Sequence, residues 1–243
     1  MNMLEVNELT KQFGGLTAVD EFSFAVDEGE IRGFIGPNGS GKTTVFNCIM
    51  GVYQPTSGHV YFEGDEITNQ DTHDIVNRGL ARVSQESNPV AEMTVAANIK
   101  LFTLPNSITA FEGGAEEEEI YSIAARVGIE ESLDELPGSL PHADVRRLEI
   151  AKALATDPRM LLLDEPFAGM NHAEIGALSE LLVELNEEGI TMVIVDHNMK
   201  GLMNVVDSVT VINNGEKLAE GVPTDIAANE AVQKAYLAGT EAI

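Results

Sequence analysis

The sequence predicts an α/β fold in which a mainly parallel sheet is flanked by helices. Three observations carry that prediction. Apolar runs at Ile31–Ile35, 160–163 and 190–195 are short and unalternating, the pattern of strands buried on both faces. Between the last two runs, Ile175, Leu178, Leu181, Leu182 and Leu185 recur on one helical face, so strand and helix alternate. A glycine-rich loop follows the first run directly and opens a helix at 43–50.

The remaining elements follow in order. Residues 4–6 and 22–26 alternate as strands, and 58–62 is followed by Glu63-Gly64-Asp65, a hairpin or turn. A strand-like stretch covers 80–84. From 86 to 138 strand signals thin out. Val95, Ala96, Ile99 and Leu101 suggest a short helix, and Glu116 to Glu119 lead into Ile120, Ile123, Ala124 and Val127 on one helical face. Pro105 and Gly113-Gly114 mark loops. This middle region reads as a helical insert. Near the end, 209–212, the turn Asn213-Asn214-Gly215 and 217–219 suggest a closing hairpin.

Composition bounds the function. The 243 residues are enough for one large core, or a core with a smaller subdomain. Cys48 is the single cysteine, which excludes an internal disulfide and fits a reducing compartment. No run approaches the length of a membrane span, and the acidic opening residues lack the apolar stretch of a secretory leader. Any membrane role is therefore expected through a partner. Forty Asp and Glu against fourteen Lys and Arg give a net charge of -26. Such a surface repels phosphate backbones, so nucleic acid is not an expected partner. The acidity has two readings: a solubilising surface reached by drift, or adaptation to a salt-rich cytoplasm, where screening shortens to roughly 3 Å at about 1 M salt.

The loop Gly36-Pro37-Asn38-Gly39-Ser40-Gly41-Lys42-Thr43 matches G-x-x-x-x-G-K-[ST] in full, after a strand and before a helix. Glycines let the backbone turn its N–H groups inward, and the helix N-terminus adds its positive end. Lys42 supplies a mobile cation for the β- and γ-phosphates of ATP. The Thr43 hydroxyl suits Mg²⁺, and Thr44 reaches a phosphate oxygen. The run 160–163 ends in Asp164 and Glu165. Asp164 fits the Mg²⁺ role of a Walker B aspartate, and Glu165 is placed to orient or deprotonate the attacking water.

With these motifs the chain resembles the ABC ATPase family over nearly its whole length. The resemblance implies a P-loop NTPase fold: one ABC ATPase domain over 1–243, with a RecA-like core and an N-terminal antiparallel β subdomain in 1–85 and 151–243, and the helical subdomain in 86–150. It also implies further site residues. Gln85 follows 80–84 as the family's Q-loop glutamine does and would sense the metal and water. His197 follows 190–195 as the switch histidine does and would hold the γ-phosphate. Ala168-Gly169-Met170-Asn171 falls at the D-loop, and Phe13 resembles the aromatic that stacks on adenine.

Several stretches are similar to the ATP-binding subunits of branched-chain amino-acid (LIV-type) importers. They are Phe13-Gly14-Gly15-Leu16-Thr17-Ala18-Val19, Thr43-Thr44-Val45-Phe46-Asn47-Cys48, Arg146-Arg147-Leu148-Glu149-Ile150-Ala151, Asp164-Glu165-Pro166-Phe167-Ala168-Gly169-Met170-Asn171 and Ala235-Tyr236-Leu237-Ala238-Gly239. That resemblance implies permease transmembrane subunits and a second ATPase subunit, either a different chain or a second copy. It also implies an external substrate-binding protein acting indirectly, and a peripheral place on the cytoplasmic face of the cell membrane.

One departure stands out. The family's signature loop reads Leu-Ser-Gly-Gly-Gln, whereas this chain has Leu140-Pro141-His142-Ala143-Asp144-Val145. A β-carbon at Ala143 is expected either to restrict φ and crowd the partner's phosphate, or to fit in a right-handed conformation at little cost. The first case supports a regulatory subunit with weak hydrolysis. An ABC ATPase for another cargo is the other alternative.

Overall fold

The computed structural model describes residues 2–85, 88–104 and 116–240. Strands β1 (Asn2–Phe13) and β2 (Leu16–Asp27) form a long hairpin. Sequence alternation marks only their inner parts. Glu8 and Glu21 take positive φ, 48° and 46°, and the register slips between Val6 and Leu9, so irregularities interrupt the period of two. β3 (Ile31–Ile35) runs through the phosphate loop into α1 (Lys42–Ile49). β4 (Ser57–Phe62) turns through Glu63 and Gly64 into β5 (Asp65–Glu66), as the sequence suggests.

α2 (Thr72–Asn77) precedes β6 (Leu80–Val83). The insert then supplies α3 (Val95–Phe102), α4 (Glu117–Val127) and α5 (His142–Leu154), so its expected end at 150 falls inside a helix. The expected loops at Pro105 and Gly113-Gly114, and Glu86 at the start of the insert, lie outside the described residues. β7 (Met160–Asp164), α6 (His172–Glu187) and β8 (Thr191–Val195) follow. After α7 (Met199–Met203) come β9 (Ser208–Asn213), β10 (Glu216–Gly221), α8 (Pro223–Ala228) and α9 (Glu230–Thr240). Asn214 and Gly215 are both left-handed, as a tight β9–β10 hairpin requires.

Among the described residues the strands form two sheets. The first is antiparallel, in the order β2-β1-β4-β5; the second runs β10-β9-β3-β8-β7-β6 and is parallel except for β9–β10. Strand periodicity sorts the second sheet's side chains into two cores. Leu161, Leu163, Met192 and Ile194 face the helices of one layer. Met160, Leu162, Val193 and Val195 join Phe22, Phe24, Phe34 and Phe46 between the sheets. α1 lies in that second core, with Cys48 buried on it. Burial pushes the Cys48 thiol up to about 11. A thiol reagent at pH 8 should therefore label the native chain about 100-fold more slowly than an exposed cysteine, and label it fully in denaturant. Fast native labelling would show that α1 opens.

Candidate functional site

β3, β8, β7 and β6 are parallel neighbours in that order, so their C-terminal ends share one rim. That rim collects the loop after Ile35, His197, the Asp164-Glu165 pair and Gln85. Open α/β sheets bind ligands at this edge.

The loop requires its glycines for different reasons. A Cβ on Gly36 would stand 2.2 Å from the Ile212 carbonyl oxygen and 2.6 Å from Ser40 Oγ. Gly41 is left-handed at φ 112°, and a Cβ there would stand 2.6 Å from the Ala18 carbonyl oxygen. Lys42 is held rather than mobile: its Nζ donates to the carbonyls of Gly36 at 2.7 Å and Pro37 at 3.0 Å. Burial pulls its ammonium below the ordinary lysine value, while Glu165 and Asp164 act in the opposite direction. Ser40 Oγ is buried and finds no hydrogen-bond partner among the described residues. Asn38, Gly39 and Thr43 are exposed and Thr44 is half-buried, so the cradle has an open side.

Glu165 sits at the centre of the rim. It adopts a left-handed φ of 51°, which L-residues other than asparagine and aspartate seldom take, and its N–H donates to the Val195 carbonyl at 2.7 Å. Gln85 Nε2 donates to Glu165 Oε2 at 2.9 Å, and His197 Nε2 lies 3.0 Å from Oε1. The three side chains expected in the chemistry thus meet on one carboxylate. Glu165 is shielded, with its side chain 18% exposed, whereas His197 is 47% exposed and faces the opening. Asp164 is buried and accepts a hydrogen bond from Arg82 Nη2 at 2.6 Å.

Phe13 lies at the tip of the β1–β2 hairpin, 41% exposed. Its ring packs edge-on to Tyr53 at 5.3 Å, and the Lys11 ammonium stands 4.9 Å from its centroid. Tyr53 is an aromatic partner that no motif announces.

Two other residues escape sequence reasoning. Asp196 is buried; its Oδ2 accepts from the Phe167 N–H at 2.9 Å and its Oδ1 from the Asn198 N–H at 2.6 Å. It therefore ties the turn after Glu165 to the turn that carries His197. Arg146, on α5, donates to the carbonyls of Ser84 and Gln85, both at 2.9 Å. Burial pulls its guanidinium below the ordinary arginine value, against Glu149, Asp196, Glu165 and Asp164. Adjacency to His197, and a charged residue repeated in Arg146-Arg147, were the available signals.

The departure at the signature stretch is partly resolved. α5 starts at His142 with Ala143 in its first turn, and Ala143 is not among the positive-φ residues. The φ restriction does not arise, because a right-handed turn accommodates alanine freely. The His142 ring lies 3.3 Å from where a Cβ on Gly169 would stand, so this stretch and the Ala168 to Asn171 turn are neighbours. Asn171 closes that turn as the N-cap of α6, in a capping box with Glu174.

Comparison with known proteins identifies the family. The family model described as ABC transporter matches residues 19–168, and one described as branched-chain amino acid ATP-binding cassette transporter matches 216–237. The chain is 40% identical to the high-affinity branched-chain amino acid transport ATP-binding protein BraF of Pseudomonas aeruginosa, covering 97% of each chain. It is 37% identical to the corresponding LivG protein of Escherichia coli, again over 97% of each. Identity is 31%, over 98% of each chain, to the lipopolysaccharide export system ATP-binding protein LptB of Escherichia coli. Among solved structures, the ADP conformation of an ATP-binding cassette of an ABC transporter superposes with a TM-score of 0.88 at 30% identity, covering 98% of this chain and 99% of that one.

Proposed function

The chain belongs to the ABC transporter family, whose cassettes are ATPases that drive transport, and from that premise we propose that it binds Mg–ATP and hydrolyses it at Glu165 to power import of branched-chain amino acids. The observation that carries the hydrolytic part is the meeting of Gln85 and His197 on the Glu165 carboxylate, on the same rim as the phosphate loop.

The residues suit the ligand. The buried Ser40 hydroxyl lacks a partner among the described residues, and Lys42 spends its donors on loop carbonyls that phosphate oxygens would replace. Residues 36–44 would hold the phosphates, and Phe13 with Tyr53 would offer an aromatic wall to adenine. Mg²⁺ would be held by the Thr43 hydroxyl and the Asp164 carboxylate with Gln85 nearby, hard oxygen donors of the kind that ion takes. It would neutralise charge on the phosphates. Glu165 orients or deprotonates water, and His197 contacts the γ-phosphate from the exposed side.

The importer reading rests on the branched-chain match at 216–237 and on higher identity to BraF and LivG than to LptB. Among the described residues no helix is long and apolar enough to cross a membrane, so the span would come from permease subunits. We assign them to one surface. Two adjoining cavities of about 270 and 600 Å³ share Val76, Phe102 and Thr156 and reach Ser84 and Asn88, on either side of the Gln85 segment. Leu101, Phe102 and Leu104 are exposed there. A cytoplasmic permease helix seated in this groove would feel any movement of Gln85. The chain would then sit on the cytoplasmic face of the membrane beside a second cassette; a solved cassette at 25% identity is dimeric.

The test is purification of the tagged chain from native membranes, followed by ATPase assays in vesicles. Permease subunits should co-purify. Hydrolysis should rise with leucine, isoleucine or valine together with the external binding protein. Stimulation by an unrelated cargo alone would sink the importer reading. A rate at background in every combination would favour the regulatory alternative.

A further inference from the structure

Arg82 is out of place on simple grounds. It stands in β6 among buried Leu80, Ala81 and Val83, and its own side chain is only 15% exposed. Its guanidinium makes two short contacts, to two different elements. Nη2 donates to Asp164 Oδ2 and Nη1 to Asn47 Oδ1, both at 2.6 Å. Asn47 belongs to α1, the helix that the phosphate loop opens, and the guanidinium also lies 5.7 Å from the neighbouring Phe46 ring. One planar cation therefore links the helix behind the phosphates to the strand that carries the carboxylate pair.

Stability alone does not account for this arrangement. A buried ion pair is on average no better than apolar residues of equal volume. Here Arg82 Nε is also left buried without an acceptor among the described residues. What the fork does provide is orientation. It fixes the Asp164 carboxylate through Oδ2 and leaves Oδ1 for another ligand.

We propose that Arg82 is the positioning residue for the metal carboxylate, holding Asp164 so that the chain takes up Mg²⁺ with its nucleotide. The inference rests on the nucleotide-site reading above and adds to it a residue outside the recognised motifs. Arg82 also lines the smaller cavity of the proposed permease groove, which places that surface one side chain from the metal carboxylate.

The experiment is equilibrium binding of a fluorescent ATP analogue to the full chain and to Arg82→Lys and Arg82→Gln. Each is measured in EDTA and across a Mg²⁺ titration, with a thermal melt of each protein. Partners that orient metal ligands change metal affinity by about 10–100-fold. The Mg²⁺ half-saturation should therefore rise about tenfold in Arg82→Lys, which keeps the charge and loses the fork. It should rise further in Arg82→Gln. Affinity in EDTA should fall by a clearly smaller factor than the Mg²⁺ half-saturation rises, because Arg82 reaches the phosphate-loop helix only through Asn47. A native half-saturation in both variants overturns the proposal. So does a parallel loss of EDTA binding and melting temperature, which would make Arg82 a residue of the fold alone. If the native chain binds no ATP, the site reading itself fails, and that result is distinct from either.

Discussion

Replacing Glu165 with glutamine is expected to leave ATP binding intact and to lower turnover by a factor of about 10²–10⁴, the usual contribution of a general base. The substitution preserves shape and removes one property, the capacity to take a proton. Gln85 Nε2 still finds an oxygen at 2.9 Å, and the amide still reaches His197 at 3.0 Å. The backbone strain at φ 51° is unchanged, because both side chains meet the same steric limit. Glu165 is also one of two carboxylates acting on the Lys42 ammonium, so its loss removes negative charge near the phosphates. Nucleotide affinity should therefore be unchanged or tighter. The measurement is single-turnover hydrolysis beside equilibrium binding. Native-like turnover in Glu165→Gln would remove Glu165 from the chemistry. A native chain no faster than the variant, even with its partner cassette, would mean that this site regulates and does not hydrolyse.

The parts of this site that sequence exposes are those written contiguously. The phosphate loop needs its glycines, lysine and threonine within eight positions, and Asp164-Glu165 closes an apolar run. Gln85 and His197 become visible only through their order around those motifs. Arg82, Arg146 and Asp196 act across the fold instead. Arg82 meets Asp164 82 residues away, and Arg146 meets Gln85 61 residues away. Neither distance leaves a period or a spacing to read. The fold shows the same division. Runs buried on both faces announce β3, β7 and β8, while the irregular outer halves of β1 and β2 lose their alternation at Glu8 and Glu21. α8 carried an ordinary start signal, proline at its first position, but its apolar face is too short to stand out. Ala143 was the reverse case: a letter that looked costly is harmless to φ because a helix already begins at His142.

The second large effect separates two glycines of the same loop. In Gly36→Ala the new Cβ meets the Ile212 carbonyl oxygen at 2.2 Å, a backbone atom of β9 that cannot move without distorting the sheet. Overpacking typically costs about 1–3 kcal/mol and more where neighbours cannot yield, so about 3 kcal/mol or above is expected. For a chain of this size that corresponds to a melting temperature lower by roughly 6–12 °C. The function is hit with it, because the loop that turns its N–H groups toward the phosphates must shift to admit the new Cβ. Nucleotide affinity should fall more than about tenfold, since a single lost charge-assisted hydrogen bond is worth roughly that. Gly39→Ala is the contrast. Gly39 is left-handed at φ 75°, but a Cβ there has nothing within 4 Å. Only the backbone penalty applies, about 1–2 kcal/mol, with a melting shift of roughly 2–8 °C. If the two variants melt together, the collision at Ile212 is not what makes Gly36 necessary, and the loop is then held by its turn conformation alone.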